Sequence, residues 1–524
     1  MSVFHSTMSR REYMKSLGLF GAGIGGASLV APVFHDLDEL MASESAQIKR
    51  AWWIRNTEHP TVDIDWNLMK RHHGFHSTQS GVILARYAGG PAEYQAILAA
   101  GDKGVTDGIK NNTPGLTLRD NALGTVARGL GFTAARTDKF ADTRLVGVKT
   151  PDQFGVPKWQ GTPEENFRMM RAAMVFFGAS HIGASELDAD HKKLVGLYGD
   201  NIAESYWPFG SAPKWPPPTT VTQPIEFANQ STFSFDNATG LTKIPSNIPI
   251  FSISYTIPQS HELFRTTPSS ALFAAANITR YRLRENMRIS TQGFVRMLGY
   301  QMMYDEPYRG IPSIAGATLT GLVENSRHTI MGISPEHGNT VGLYEVLTDL
   351  PIAHTPAIDA GIWRFCQSCG ICAKHCPPEA IEKKGESEPS WETRPSAITP
   401  KFGQIPGLGF DTEPEFFKAG RKTYWTDMIS CQLFARGLPN RCQLCFGVCV
   451  FNNQYGAMIH DLVRQTVSVT SMFNGVFATA GETFGYGLKE DEAKEDWWDM
   501  VLPAYGYSTG FYSKHGGYNR ERPA

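Results

Sequence analysis

The chain has 524 residues, of which 41% are hydrophobic and 19% charged. This balance is ordinary for a globular protein with a sizeable core and roughly two to four domains. The formal net charge of −2 at pH 7 excludes the strongly basic balance by which many proteins bind nucleic acids, so no nucleic-acid partner is expected.

The N-terminus has the residue pattern of an export signal. Arg10 and Arg11 lie in the segment 9–15 and precede an apolar run at 17–30, which is too short and too rich in glycine to span a bilayer. This pattern is typical of the twin-arginine route, which exports proteins already folded around their cofactors. The alternative is an arginine pair on an ordinary N-terminal helix. We assign residues 1–43 to the signal, and a cleavage site near Ala42 is one candidate.

The middle of the chain predicts an α/β domain at 166–354. Residues 163–199 predict a helix that ends near Gly178, then a strand-like turn and a second helix. The segment 248–257 (IPIFSISYTI) alternates with a period of two residues and predicts a strand. Residues 269–298 predict a long helix. Alternating strands and helices with Gly/Pro loops between them favour an α/β core.

The remaining regions are divided by composition. Residues 44–165 show no clear periodicity and are assigned to an N-terminal region. Residues 355–460 hold every cysteine and carry a long insertion at 381–430, and residues 461–524 form a tail rich in Trp, Gly and Tyr.

The eight cysteines form two runs within one stretch of 84 residues. The first run is Cys366, Cys369, Cys372 and Cys376, and Pro377 follows it. This is the spacing of the bacterial iron–sulfur run, in which thiolates on a tight loop bind the corners of a cubane. The second run is Cys431, Cys442, Cys445 and Cys449. The sequence therefore predicts iron–sulfur ligation by all eight thiols.

Two other readings of the cysteines are open to test. Zinc prefers two separated pairs of ligands, which fits the first run poorly. A disulfide framework is typical of a small exported domain that cannot build a core, whereas this chain is long and its cysteines are confined to one stretch.

The ligand sets follow from the rule for two-cluster ferredoxins, in which the last cysteine of each run binds the other cluster. One predicted set is Cys366, Cys369, Cys372 and Cys449, and the other is Cys376, Cys431, Cys442 and Cys445. The first ligand of the second run stands eleven residues early. A three-iron cluster at the second site therefore stays open beside a four-iron one.

Four features together resemble one family, the corrinoid-dependent reductive dehalogenases of organohalide-respiring bacteria. They are the twin-arginine segment at 9–15, RYRLRENMRISTQGFVRMLGY at 280–300, GLVENSRHTIMGISPEHGNTVGLYEVLTDLPI at 321–352, and the two cysteine runs. The resemblance implies an α/β (α+β) fold class, with a nitroreductase-like α/β domain that binds a corrinoid and a ferredoxin-like domain with two [4Fe-4S] clusters.

The resemblance also implies a cobalamin-type cofactor bound base-off. Cobalamin proteins that replace the lower base by a histidine use Asp-x-His-x-x-Gly, and this string is absent from the sequence. The nearest stretch, DADHKKLVG, has the wrong spacing. The sequence therefore agrees with the base-off mode.

The implied reaction breaks a carbon–halogen bond with two electrons and one proton and releases halide. Tyr281 stands nineteen residues before the Tyr of LGY, where the family has its proton donor, and Arg327 falls at the family's basic position. The alternatives are a helix tyrosine with its ring in the core and a helix-cap arginine. Tyr255, at the end of the predicted strand, is the reserve candidate.

The stretch around Gly178 resembles a family segment near the corrinoid. Small residues there would let the backbone approach a flat macrocycle, although ordinary packing would explain them too. With Tyr255, the candidate corrinoid contacts are Phe177, Gly178, Ala179, Ser180 and Gly183.

Two further motifs give weaker evidence about function. The family's asparagine after IPS is absent, because Ala315 and Gly316 stand there and Asn325 is only a substitute. His72, His73 and His76 lack nearby carboxylates or cysteines and are read as a solvated loop.

An exported enzyme of this kind needs a source of electrons. No stretch after the signal approaches the roughly 18 consecutive apolar residues of a membrane helix. We therefore expect a peripheral protein on the outer face of the cytoplasmic membrane, with an integral membrane anchor subunit and a respiratory electron donor as partners and a small organohalide as substrate.

Two other functions compete with this one. Epoxyqueuosine reductases share the corrinoid and the paired clusters, but the export signal and the lack of a basic balance argue against a tRNA substrate. An exported electron-transfer subunit without catalytic activity is the other alternative, and absence of cobalt would support it.

Overall fold

A computed structural model describes most of the chain after residue 49. The described residues are 50–72, 81–132, 148–198, 224–236, 239–304, 310–383, 385, 388–392, 394–401, 419–452, 458–483 and 487–499. The predicted export signal at 1–43 lies outside them, and so do His73 and His76.

The described residues form a mixed α/β structure. Its strands are β1 (Arg55–Thr57), β2 (His181–Glu186), β3 (Ile225–Ala228), β4 (Ser234–Phe235), β5 (Thr242–Pro245), β6 (Phe251–Pro258), β7 (Met302–Tyr304), β8 (Val341–Thr348) and β9 (Ala357–Asp359). Its helices are α1 (Gly81–Ala88), α2 (Pro91–Lys110), α3 (Leu118–Phe132), α4 (Pro163–Phe177), α5 (His261–Phe264), α6 (Ala271–Met297), α7 (Ser313–Leu319), α8 (Ile362–Cys369), α9 (Ile371–Lys374), α10 (Met428–Arg436), α11 (Leu444–Gly447), α12 (Met458–Val469) and α13 (Asn474–Thr483). Short 3-10 segments lie at Pro151–Phe154, His191–Leu194, Val450–Asn452 and Asp491–Trp497.

The central sheet has four strands in the order β2-β6-β8-β7, and every neighbouring pair is antiparallel. Strand β6 confirms the strand predicted at 248–257, and all but its first residue are buried. Two smaller sheets pair β1 with β9 and order the other strands as β3-β5-β4. A strand buried on both faces tolerates continuous apolar and small residues, as β6 and β8 show.

Helices α4 and α6 pack on one face of the central sheet, and this layer holds the core that positions the candidate site. Helix α4 begins at a capping box in which Thr162 and Glu165 bond each other's backbone amides. Helix α6 begins after Ser270, whose hydroxyl accepts from the Leu272 amide. Both helices confirm the sequence predictions for 163–178 and 269–298.

The second helix predicted before residue 199 is only the 3-10 turn His191–Leu194. Leu194 and Val195 are both buried, and the backbone of Val195 is already extended. The chain therefore leaves the helical conformation to bury these two side chains, and the prediction of a second helix there was wrong.

The N-terminal region contains three helices, α1 to α3, where the sequence indicated only short helical stretches without clear periodicity. Some positions that face neighbouring elements in these helices are glycines and not apolar residues. The helical repeat of apolar residues is therefore weak in the sequence. A Cβ at Gly124 would lie 3.0 Å from the carbonyl oxygen of Ala271 in α6, and one at Gly104 would lie 2.4 Å from Pro439. These glycines let α2 and α3 pack directly on their neighbours.

Short helices carry the cysteines. Helices α8 and α9 hold the first three cysteines of the first run, and α10 and α11 hold part of the second. Helices α12 and α13 pack beside this region. None of the described helices is both long and apolar enough to cross a membrane.

Candidate active site

The first group of thiols comes from helices α8 and α9 and from the end of the second cysteine run. The titratable neighbours that act on Cys366 are the thiols of Cys369, Cys449 and Cys372. Cys369 is likewise a close neighbour of both Cys372 and Cys449. The structure thus brings together the four thiols of one predicted set.

The second group contains the other four thiols. Cys431 lies close to Cys442 and Cys376, and Cys445 lies close to all three of these. Cys445 also has Cys372 of the first group as a neighbour, so the two groups are adjacent. Each group therefore takes three thiols from one run and one from the other.

Burial dominates the chemistry of these thiols, and all eight are free of disulfides. Burial, and then the nearby Cys442, raise the pKa of Cys431 to about 12. Burial likewise raises the pKa of Cys449 to about 12. Four thiolates in so dry a place need compensating positive charge, which bound iron supplies. The donor set therefore fits a metal cluster.

A single metal ion fits the site less well. No group of three or more His, Cys, Asp or Glu side chains in the described ranges is arranged to hold a metal ion. A cubane keeps its four sulfur ligands farther apart than one zinc ion does. Backbone amides of Phe451 and of Ala380 hydrogen-bond to the sulfurs of Cys449 and Cys376, as befits thiolate ligands.

Arg327 lies against the first cysteine run and is only 1% exposed. Its guanidinium donates hydrogen bonds to the carbonyl oxygens of Cys366 at 3.0 Å, Gln367 at 2.9 Å and Glu382 at 3.1 Å. It also lies over the ring of Tyr424, 3.8 Å from the centroid. Arg327 forms no hydrogen bond with Tyr281 among the described residues. Three backbone carbonyls hold this side chain, and its assistance to Tyr281 stays a prediction.

Tyr281 stands on helix α6, and its half-buried ring packs against the core under the central sheet. Its hydroxyl accepts a hydrogen bond from Nη2 of Arg280 at 3.0 Å. The guanidinium carbons of Arg280 and Arg284 lie 4.7 Å and 4.9 Å from the ring centroid. Burial lowers the pKa of Arg280, but the electrostatic effects of Tyr281 and Tyr344 together raise it by more. The net effect is a raised pKa for Arg280. Arg280 is thus the guanidinium that contacts the Tyr281 hydroxyl in the structure.

Tyr344 and Tyr255 extend this site across the sheet. They are paired across β6 and β8, and their ring centroids are 5.4 Å apart. The ring of Tyr344 meets that of Tyr281 edge-on at 6.5 Å. Burial raises the pKa of Tyr344 to about 12, so its hydroxyl stays protonated. That hydroxyl has no hydrogen-bond partner among the described residues.

Gly342 makes room for this arrangement. A Cβ at Gly342 would lie 3.0 Å from Cδ of Arg280, 2.9 Å from Cε2 of Tyr344 and 3.1 Å from the Tyr344 hydroxyl. Any larger residue would push Arg280 away from Tyr281. A glycine inside a strand often marks such a close approach, and this was the one signal in the sequence that pointed here.

The predicted corrinoid contacts divide into two kinds. Phe177 and Ala179 face the core, where the Phe177 ring meets that of Phe294 at 6.3 Å. Gly178 has φ of 124°, and a Cβ there would meet only the sulfur of Met287 at 4.0 Å. Of these three residues, Gly178 is the one with open space beside it.

The other predicted contacts are engaged within the sheet. The Ser180 hydroxyl is 2.7 Å from that of Thr256. A Cβ at Gly183 would lie 2.6 Å from the carbonyl oxygen of Thr320. The space beside Gly183 is therefore filled by the end of α7, and its missing side chain serves packing. Tyr255 is 1% exposed and lies in the core.

Comparison with known proteins identifies the family. A family model described as reductive dehalogenase subunit matches residues 49–352, more than half of the chain. A chloroethene reductive dehalogenase of Dehalococcoides mccartyi is 31% identical, over 97% of this chain and 100% of its own length. The chain belongs to the reductive dehalogenase family. This confirms the family resemblance, and it makes the protein an oxidoreductase.

A second relative of this reductive dehalogenase is a trichloroethene reductive dehalogenase from another strain of the same species. It is 28% identical, over 97% of this chain and 99% of its own length. This chain therefore spans the whole length of both relatives.

Solved reductive dehalogenases share the fold. The catabolic enzyme NpRdhA, in complex with 3-bromo-4-hydroxybenzoic acid, has a TM-score of 0.50 at 15% identity. The match covers 83% of this chain and 49% of that protein, so this chain spans about half of its length. A further structure, described as suggesting a mechanism for B12-dependent dehalogenation, has a TM-score of 0.51 at 15% identity. The likeness shows a shared mixed α/β fold.

Sequence reasoning missed a buried polar cluster at the edge of this reductive dehalogenase's sheet. The rings of His181 and His337 lie 5.4 Å apart. Glu336 pairs with Arg50, with Nε to Oε1 at 2.8 Å, and accepts from the Ser334 hydroxyl at 2.9 Å. No pattern in the sequence relates residues so far apart along the chain. The adjacent acid and histidine in SPEHG were the only local hint.

The charges of this cluster are fixed by burial and by Arg50. Burial lowers the pKa of His181 to about 4 and of His337 to about 3, so both are neutral. Burial raises the pKa of Glu336, but Arg50 and the two histidines lower it by more. The resulting pKa of Glu336 is about 2. Glu336 is therefore ionised at neutral and at mildly acidic pH.

We expect the thermal unfolding midpoint to fall between pH 7 and pH 5. The unfolded histidines bind protons below about pH 6.5, while the folded ones stay neutral until about pH 4 or below, so protons favour unfolding. Each histidine would contribute at most about 2 kcal/mol of destabilisation at pH 5. The variant His337→Gln should lose stability less steeply with falling pH.

His59 is the matched control for that experiment, because its side chain is 83% exposed. The variant His59→Gln should keep the slope of the parent. Equal slopes in His337→Gln and the parent would contradict the neutral, buried state of His337.

Proposed function

We propose that this reductive dehalogenase breaks the carbon–halogen bond of a small chlorinated hydrocarbon and releases halide. The reaction consumes two electrons and one proton, and Tyr281 donates the proton. The hydrogen bond from Arg280 to the Tyr281 hydroxyl, inside a group of buried tyrosines, carries the proposal. The chloroethene and trichloroethene named for the two relatives support the substrate class.

The proton step depends on Arg280. A phenol has a pKa near 10 and is a reluctant acid, so a nearby cation must favour the phenolate that remains. Arg280 bonds directly to the oxygen that loses the proton. A guanidinium does not give up its own proton at neutral pH, so it stays a fixed positive partner through the step.

A corrinoid bound base-off, in a nitroreductase-like α/β layer, would supply the reducing centre that attacks the carbon–halogen bond. The B12-dependent mechanism named for a solved relative supports this cofactor. Two features of the site fit a large planar group. They are the open space beside Gly178 and the Tyr344 hydroxyl, which has no partner within the described residues. Phe177, Ala179 and Gly183 would shape the surrounding wall rather than touch the group.

Two [4Fe-4S] clusters in a ferredoxin-like region would relay single electrons. The cluster ligands would be Cys366, Cys369, Cys372 and Cys449 for one, and Cys376, Cys431, Cys442 and Cys445 for the other. Four neighbouring thiols in the second group favour a four-iron cluster over a three-iron one. The role of Arg327 would then be to hold the backbone of the first cysteine run.

The setting of the enzyme follows from the sequence. We propose export by the twin-arginine route and a peripheral position on the outer face of the cytoplasmic membrane. An integral membrane anchor subunit and a respiratory electron donor would be its partners. The proposed divisions are 44–165, 166–354 for corrinoid binding, 355–460 for the clusters, and 461–524.

The test is to measure cobalt, iron and halide release on protein matured with a corrinoid and purified without oxygen. About one cobalt and roughly eight iron per chain are expected, with chloride released from a chloroethene under a low-potential donor. The variant Cys369→Ser should lose iron. Iron without cobalt, together with no chloride release, would instead favour an electron-transfer subunit.

A further inference from the structure

Helix α8, which carries Cys366 and Cys369, begins without a side-chain cap of its own. Gly361 precedes its first residue and has no side chain to accept hydrogen bonds from the free amides of the first turn. The carboxylate of Glu324 accepts them instead, from 38 residues before Ile362. Glu324 is 1% exposed. The start of helix α8 is therefore fixed by a buried residue from outside the cysteine region.

The Glu324 carboxylate accepts hydrogen bonds on both of its oxygens. The donors are the backbone amides of Ala360 at 2.6 Å, Ile362 at 3.2 Å and Trp363 at 3.1 Å, and the hydroxyl of Thr61 at 2.8 Å. Burial raises the pKa of Glu324, and these donors oppose that effect because they favour the charged form. With two donors on each oxygen, no lone pair of the carboxylate is left for a proton.

Arg327 holds the other end of helix α8. Its guanidinium donates to the carbonyl oxygens of Cys366 and Gln367 in the last turn. A cation there matches the negative end of the helix dipole, as the Glu324 carboxylate matches the positive end. The segment 324–327 (ENSR) thus holds one short helix at both ends, with side chains of opposite charge.

The same segment also reaches a predicted cluster ligand. The backbone amide of Arg327 hydrogen-bonds to the sulfur of Cys366. Hydrogen bonds to the cysteine sulfurs help to set the reduction potential of an iron–sulfur cluster. The segment is itself fixed, because the backbone of Glu324 pairs with that of Ile333 through hydrogen bonds of 3.0 Å and 2.9 Å. The position of helix α8 against this segment therefore decides how well the amide reaches the sulfur.

We propose that Glu324 positions helix α8 so that the Arg327 amide reaches the Cys366 sulfur, and that this contact raises the reduction potential of the cluster in the first group. This inference rests on the proposed function, in which that cluster relays electrons. Reduction adds one electron to the cluster, and a hydrogen-bond donor at a sulfur stabilises the added negative charge. Glu324 acts through the helix, because its bonds to the cysteine region go to backbone amides before the first cysteine.

The experiment is a redox titration of the holoenzyme, purified without oxygen and followed by EPR. Two one-electron midpoints are expected, and the signal that Cys369→Ser lacks identifies the first cluster. Glu324→Gln should lower the first midpoint, with a change of roughly tenfold in the ratio of reduced to oxidised cluster, or about 59 mV for a one-electron couple. The second midpoint should not move.

The direction of the shift separates positioning from simple electrostatics. Glu324→Gln removes a negative charge, and by Coulomb's law alone this loss would raise the midpoint. The amide group of glutamine, however, carries two N–H donors in place of an acceptor oxygen, so it cannot accept all the hydrogen bonds of the carboxylate. The hold on helix α8 is then weaker. A fall of the midpoint therefore reports the position of the helix and not the lost charge.

Thr61→Val is the second variant, and it changes no charge. It removes one donor to Glu324 and keeps a β-branched side chain of nearly the same shape. The first midpoint should fall, by less than in Glu324→Gln. Glu482→Gln is the matched control, because this carboxylate accepts from Lys374 on helix α9 at 2.8 Å and bonds to no described residue of α8. Its first midpoint should not fall.

Three results would overturn the positioning role. They are an unchanged or higher first midpoint in Glu324→Gln, a parental first midpoint in Thr61→Val, and an equal fall of both midpoints in either variant. If Glu324→Gln loses the first cluster outright, Thr61→Val decides: a lowered midpoint supports the role and a parental one overturns it.

The proposed function fails separately. A holoenzyme that shows both EPR signals and the predicted shifts, yet releases no halide from any organohalide, would overturn the proposed reaction and leave the role of Glu324 standing. A holoenzyme that dehalogenates while both variants keep the parental midpoints would overturn the role of Glu324 alone.

Discussion

Tyr281→Phe is expected to keep both kinds of cofactor and to lose roughly 10²- to 10⁴-fold of its halide release. The substitution removes one hydroxyl from a ring that packs against the core, so the fold should be unchanged. The proton of the reaction would then have to come from water. Initial rates of chloride release, with iron and cobalt measured on the same sample, check this outcome.

Tyr300→Phe is the control for that variant. Tyr300 follows helix α6, and its hydroxyl donates to the carbonyl oxygen of Trp159 at 2.9 Å. It should keep near-parental turnover and lose only a little stability. Parental turnover in Tyr281→Phe would remove Tyr281 from the mechanism.

Arg280→Gln and Arg327→Gln are expected to fail in different ways. Arg280→Gln should keep its iron and lose roughly 10- to 100-fold of its turnover, because a charge-assisted hydrogen bond to Tyr281 is lost. Arg327→Gln should lose iron, because three carbonyl groups of the cysteine region lose their donor. Iron content and turnover, measured side by side, separate the two roles.

The role of Arg280 at the proton has its own readout. In Arg280→Gln the solvent deuterium isotope effect should rise, since proton transfer becomes slower relative to the other steps. Arg280→Lys should recover part of the rate. If Arg327→Gln keeps its iron and shows the larger isotope effect, the original sequence assignment of Arg327 holds and the one made from the structure does not.

Most of the prediction about the thiols came from the spacing of the cysteines along the chain. Ligand runs are local, so the separations between Cys366, Cys369 and Cys372 already limit which thiols can meet. The crossing of Cys376 and Cys449 followed from a general rule for such runs. Periodicity likewise located α4, α6 and β6, because their buried faces repeat regularly along the chain.

The partner of Tyr281 was beyond such reasoning. Arg280 and Tyr281 are adjacent in sequence, and neighbouring helix residues point in different directions, so pattern alone gives no reason to pair them. The contact arises because Arg280 bends over Gly342, a residue sixty positions later on β8. A motif match could place Arg327 near the site, but it could not show that backbone carbonyls already hold its guanidinium.

The exchange of one cysteine between the two runs has a consequence for biosynthesis. Cys449 completes the group that begins at Cys366, and Cys376 completes the group that contains Cys442. A nascent chain that has not yet reached residue 449 therefore has no finished first group, however well its earlier segments have folded. If the two groups bind clusters as proposed, both clusters would be assembled late, after residues 445 and 449 have been made, and a chain truncated before residue 445 would lack both.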